Sequence, residues 1–362
     1  MIDRKIVKSR SVFRHIALAA LVTGVAFACA RSGDKDTTGA TAAKQAGEVN
    51  VYSGRHYDSD LDIFRRFEGE TGIKVNYIEA GGDELIERLA REGAASPADM
   101  FITADAGILW RAEERDLFRP ITSPAILDRV PSQYRQPEGD WVGLAKRARV
   151  IIYNKAMGLP EGLETYEDLA RPEYKGMICV RSSSNVYNQS LLASIIANDG
   201  AEAAESWARG VVANFARRPE GTDTTQIEAV AAGICRLGIV NSYYVARYLN
   251  PDDAARLAIG EKIGVLFPNQ STTGTHVNVS GAGVTAHAPN AQNAERLIEF
   301  LLRDDIQKAF AKGNNEYPVV PGIDPEGPIT TLGTFRADTL DVAAYGRNQA
   351  EAVRIFDRAG WP

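Results

Sequence analysis

EVNVYSGRHYDSDLDIFRRFEGETGIKVNY, residues 48–77, decides the architecture. Val49 to Tyr52 is a short β-type run; Leu61, Phe64 and Phe67 then recur at helical spacing, and Gly72 stops that helix before the extended run Ile73 to Tyr77. A strand, a helix and a second strand in so short a span predict a βαβ unit. The pattern repeats outward: a helix carrying Leu85 and Leu89 breaks at Gly93, Asp99 to Ile102 reads as a strand, and Ala106 to Glu114 as a helix. Such alternation predicts an α/β protein with covered sheets.

Near Lys146 the character changes, with the extended run Arg149 to Tyr153 leading into a segment that has strands and helices of its own. Ile178 to Val180 and Ile239-Val240 read as strands; Gln189 to Ala197, Ala201 to Phe215 and Thr225 to Ala232 read as helices. From Thr275 another strand-rich stretch is followed by amphipathic helices at Ala291 to Leu302 and Asp304 to Lys312, and Pro318 and Pro321 close the pattern.

At the N-terminus, Arg4, Lys5, Lys8, Arg10 and Arg14 precede the apolar stretch Ile16 to Ala28, which ends in Ala26-Phe27-Ala28, the layout of an export signal. The stretch is about half the ~20 residues needed to span a bilayer, which excludes a polytopic membrane protein. Cleavage admits two readings: an A-x-A site, or lipidation of Cys29, for which Ala26 stands where Leu is usual. The small polar run Ala30 to Gly47 suits a tether.

The composition, 44% hydrophobic and 24% charged, is that of a globular chain with enough length for two domains. A formal charge of −6 without long like-charge blocks argues against nucleic acid or an anionic membrane surface as partner. Besides Cys29 there are two cysteines, Cys179 and Cys235, and an even pair in an exported protein invites a disulfide.

Three motifs carry a family resemblance: Val51-Tyr52-Ser53-Gly54-Arg55-His56-Tyr57, Ser182 to Gln189 around Tyr187, and Asn241-Ser242-Tyr243-Tyr244. Together with Glu68 to Val75 and Asn315 to Val319, which carry no metal chemistry, they resemble the periplasmic ferric-iron-binding proteins, particularly their cyanobacterial-type branch. The resemblance spans roughly Glu48 to Gly322. It implies a two-lobed type II periplasmic-binding fold with a hinge of crossing strands. The expected division is a signal at 1–28, a tether at 29–47, one lobe from 48–147 and 272–322, and the other from 148–271 and 323–362. It also implies the binding component of an ABC transporter for iron, a monomer that captures the ion by lobe closure and serves a permease and its ATPase.

By motif, Tyr57 comes from the first lobe, and Tyr187, Tyr243 and Tyr244 from the second. His56 stands at a position that other branches use as a ligand, and it either binds directly or sits just outside the shell. The branch that binds iron with a carboxylate and an anion has Glu where this chain has Ala104, and Asp105 beside it reads as a neighbour rather than a ligand. A missing carboxylate and an added Tyr187 are mutually consistent with an all-phenolate or phenolate-plus-histidine site.

The residue chemistry stands independently of the resemblance. Ferric ion is small and hard, and anionic oxygen suits it better than imidazole or thiolate. A bound cation deprotonates phenols at neutral pH, as it does water and thiols. Four phenolates around a 3+ ion leave one negative charge, and Arg147 and Arg247 are the candidates to neutralise it or to hold an anion such as carbonate. Ferrous ion is compatible with the same donors.

Each residue also has a plainer reading. A Tyr-Tyr pair is ordinarily packing, a lone histidine ordinarily a surface or hydrogen-bonded group, and the arginines surface ion pairs. Two other functions compete with this reading. A tyrosine-ligated iron enzyme lacks a second histidine and an open coordination position. A same-fold protein for phosphonate, sulfate or polyamine leaves the four tyrosines without a purpose.

Overall fold

The computed structural model describes residues 47–362, and the expected signal and the tether as far as residue 46, with Cys29, lie outside the described residues. The opening unit is as the sequence predicts. Strand β1 (Glu48–Gly54) leads into helix α1 (Asp58–Thr71), which buries Ile63, Phe64 and Phe67 and ends where Gly72 takes the left-handed conformation, φ 70°. β2 (Lys74–Glu79) pairs parallel with β1. α2 (Gly82–Glu92), β3 (Met100–Thr103) and α3 (Ala106–Glu113) follow, with β3 parallel to β1 on its other side.

After the short β4 (Phe118–Arg119) and α4 (Pro124–Leu127) comes β5 (Val142–Asn154), a strand that serves two sheet regions. The second region is built from β6 (Ile178–Cys179), α5 (Val186–Asp199), α6 (Ala201–Ala213), α7 (Asp223–Ala231), β7 (Leu237–Asn241), α8 (Ser242–Arg247), α9 (Ala254–Gly260) and β8 (Ile263–Leu266). β9 (Val277–Thr285), α10 (Ala291–Leu301), α11 (Asp304–Asn314), β10 (Tyr317–Pro318) and α12 (Ala343–Ala359) complete the described residues.

The path β2-β1-β3-β9-β5-β7-β6 runs through the whole protein. β5 pairs with β9 from Val142 to Ala148, then with β7 from Arg149 and with β8 from Ile151. All nine residues of β9 are buried, because it is covered on both edges by β5 and β3. Gly281 permits this closeness: a Cβ there would lie 2.6 Å from the Val142 carbonyl oxygen. Two crossing strands joining two α/β layers are the hinged, two-lobed type II architecture that the resemblance implies.

α12 lies beyond Pro321, where the apolar pattern of the sequence closes. It packs on α5 and α6 and also on α3. Its buried face includes Ala343, Ala344, Gly346, Ala352 and Ala359, so small residues hide the apolar periodicity that marks the other helices. Gly346 lets the helix seat against α3, since a Cβ there would fall 2.2 Å from the Trp110 side chain. No helix among the described residues is long and apolar enough to cross a membrane.

Cys179 and Cys235 form a disulfide across a sequence separation of 56, tying β6 to the approach of β7. Closing a loop of that length removes chain entropy worth about 4 kcal/mol of stability. Reduction, or the Cys179→Ser/Cys235→Ser double variant, is expected to lower the urea midpoint accordingly.

Candidate metal centre

The four tyrosines stand where strands end and helices begin. Tyr57 is the last residue before α1 and keeps an extended backbone, φ −126° and ψ 114°, which turns its ring away from the helix. Tyr187 is in the first turn of α5, and Tyr243 and Tyr244 are in the first turn of α8, directly after β7. β1 and β7 therefore both deliver their carboxyl ends to one crevice, the usual ligand position in α/β sheets.

The rings meet there. The Tyr187 and Tyr243 hydroxyls are 3.2 Å apart. Tyr57 packs edge-on against Tyr243 with centroids 6.4 Å apart, and Tyr243 lies 4.3 Å from Tyr244. Tyr243 is only 2% exposed. Burial pushes the phenols of Tyr57, Tyr187 and Tyr243 above their ordinary value; Glu316 adds to the effect at Tyr57 and the neighbouring tyrosines add to it at Tyr243, while Arg147 opposes it at Tyr187. Iron-free, these three are neutral phenols at neutral pH.

Cations surround them. The Arg247 guanidinium lies 5.0 Å from the Tyr244 ring, 5.2 Å from Tyr243 and 6.0 Å from Tyr57. Arg147 is 5.6 Å from the Tyr187 ring; it donates to the Ala104 carbonyl and to Ser280, and is 3.6 Å from Asp105. Both arginines of the sequence reading thus border the cluster.

Three further arginines were not singled out by sequence. Arg55 lies 4.7 Å from the Tyr57 ring and is paired to Asp60 at 2.7 Å and Glu316 at 3.4 Å. Arg149 and Arg181 approach the Tyr187 ring to 5.9 and 5.5 Å and share Asp223, at 2.8 and 3.5 Å. Arg55 and Glu316 lie inside the quoted motifs and Arg181 directly before one, but nothing local in the sequence marks Arg149 or Asp223. At ordinary charges, Arg55, Arg147, Arg149, Arg181 and Arg247 exceed Asp60, Asp105, Asp223 and Glu316 by one positive charge. That excess equals the negative charge of one ferric ion with four phenolates.

Three other residues keep separate company. His56 is exposed, and its Nδ1 faces the Glu79 carboxylate at the rim rather than the phenol cluster. Asp105 is wholly buried and caps α3 through the Gly107 amide at 2.8 Å. His276 is buried near the hinge, where burial and then Arg149 and Arg147 push its pKa down to about 3, so it stays neutral. Among the described residues no group of three or more His, Cys, Asp or Glu side chains converges as a metal site. Among the described residues, the oxygen donors that converge in this crevice are the tyrosine phenols.

This hinged α/β fold with a phenol-lined crevice is that of a binding protein, and the chain belongs to the bacterial extracellular solute-binding proteins, whose family model matches residues 95–331. Within them it is a member of the ferric-iron-binding branch. Iron uptake protein A1 of Synechocystis is 47% identical over 356 residues, covering 98% of each chain. Trichodesmium IdiA (FutA) in complex with iron and citrate ligands is 50% identical with a TM-score of 0.84, covering 87% of this chain and 100% of that one. The ferric binding protein from Campylobacter jejuni is 40% identical with a TM-score of 0.82, again covering 87% and 100%.

Proposed function

We propose that the protein is the iron(III)-binding component of an ABC-type uptake transporter, capturing ferric ion between its lobes through Tyr57, Tyr187, Tyr243 and Tyr244. The observation that carries this reading is the convergence of the four phenols in one crevice, with two hydroxyls 3.2 Å apart and one excess positive charge around them. The similar Trichodesmium protein with iron and citrate gives the cargo. Phenolates favour the ferric over the ferrous state because they are hard anionic donors.

The lobes are 48–147 with 272–322, and 148–271 with 323–362. This division is supported by the change of partner along β5, which pairs with β9 up to Ala148 and with β7 from Arg149. Tyr57 and the other three tyrosines then belong to opposite lobes, so that closure completes the shell. Closure is also what a permease recognises, since only the loaded form holds the lobes together. Arg147 and Arg247 neutralise the bound complex, and the wall charge balances four phenolates without carbonate. His56 is the peripheral member of the set, held at the rim by Glu79 through its Nδ1.

The protein works as an exported monomer with a permease and its ATPase, and lipidation of Cys29 would anchor it to a membrane. Its role is carriage, because four phenolates leave little of a ferric ion's coordination sphere for substrate. The tyrosines are what sets this reading above another cargo on the same fold. Dialysis of the mature protein against ferric citrate, followed by metal analysis, is expected to give one iron per chain. Binding of a phosphonate or sulfate with no retained iron would overturn the assignment.

A further inference from the structure

The helix that carries Tyr187 is gripped from the other lobe. On α5, Ser190 lies one turn after Tyr187 on the same face. Its hydroxyl donates to Asp105, at 3.2 and 3.3 Å from the two carboxylate oxygens, and both residues are buried. Asp105 is itself fixed: it caps α3 through Gly107, accepts from Asn278 of β9 at 2.9 Å and faces Arg147 of β5. The carboxylate is thus held by the first lobe and by the two crossing strands, and its contact to the second lobe is Ser190.

A second strap runs parallel to it. Gln189 accepts from Gln349 of α12 at 2.9 Å, Gln349 accepts from Arg111 of α3, and Arg111 is anchored to Asp83 at 2.6 Å. Both ends of α3 therefore hold the first two turns of α5, one directly through Asp105 and one through the C-terminal helix.

We propose that the Asp105–Ser190 contact, seconded by the Arg111–Gln349–Gln189 chain, is a closure latch that positions Tyr187 and governs how fast iron leaves. Asp105 is a positioning residue, one place along from the Ala104 position where a ligand carboxylate would stand. Opening the lobes breaks the contact and leaves Asp105 without one of its donors, at the cost of a hydrogen bond to a charged group. The latch acts on the closed form alone, so it slows release without altering capture. The inference rests on the proposed iron cleft and its lobe division.

The test is the Ser190→Ala variant, with Gln349→Ala as a second, independent weakening. Iron release to excess citrate is followed by the visible absorbance of the loaded protein, and capture from ferric citrate by stopped flow. Release is expected to be about tenfold faster in Ser190→Ala, the worth of one hydrogen bond to a carboxylate, and several-fold faster in Gln349→Ala. Capture rate, band position and the melting temperature of the iron-free protein stay as in the wild type. Unchanged release from a normally coloured Ser190→Ala protein, or equal destabilisation of iron-free and loaded forms, would overturn the latch alone. A wild type that takes up no iron would instead overturn the cleft reading on which it rests.

Discussion

Replacing Tyr243 by Phe is expected to lower ferric-ion affinity at least a hundredfold, and Tyr187→Phe to do nearly the same. Tyr243 is the centre of the cluster, in contact with Tyr57, Tyr187 and Tyr244 and with the Arg247 cation. A four-ligand metal site is worth roughly 10–16 kcal/mol, so one ligand carries about 3 kcal/mol or more, over two decades in affinity. Phe keeps the ring and its packing and removes only the oxygen, so the fold should be retained. His56→Ala, by contrast, is expected to cost about tenfold, the size of an outer or rim contribution. Competition against citrate across the three variants checks the order. A loss in His56→Ala as large as in Tyr243→Phe would move the histidine to the centre of the shell.

Acidification is expected to weaken iron binding more steeply than the loss of one proton allows. Burial raises the phenols of Tyr57, Tyr187 and Tyr243 above the ordinary 10.0, so in the iron-free protein each carries its proton at neutral pH. Binding must displace those protons, and below a phenol's pKa the apparent affinity falls tenfold per pH unit for each one displaced. The sign is fixed: higher pH favours loading and lower pH favours release. For the three buried phenols the fall is about a thousandfold from pH ~7.5 to pH ~6.5. Proton release on adding ferric ion, read in weakly buffered solution and corrected for hydrolysis of free ferric citrate, should give one proton for each phenolate formed, at least three per iron.

Much of this was legible in the chain. Residues 48–77 gave the βαβ start because strand, helix and Gly72 stop each have a local cause, and Gly72 does take the left-handed conformation. The tyrosines stood out only in their motifs; what brings them together is the crossing of β5 and β9, a long-range pairing that no local pattern reports. α12 was missed because alanines and a glycine share its buried face with Tyr345, Ile355 and Phe356 and dilute the apolar period. Asp223, Arg149 and Arg181 were missed for a different reason. They lie far apart in sequence and look like ordinary charged residues until folding buries Asp223 between the two arginines beneath Tyr187. His56 adjoins Tyr57 in sequence, yet its side chain turns to Glu79, a direction that only the backbone after β1 decides.

The most direct test is the visible absorption spectrum of the mature protein before and after ferric citrate is added. Phenolate ligation predicts a charge-transfer band that colours the loaded protein and shifts or fades in Tyr187→Phe and Tyr243→Phe. A protein that binds iron and stays colourless would contradict tyrosine ligation and assign the metal to nitrogen and carboxylate donors or to the ferrous state.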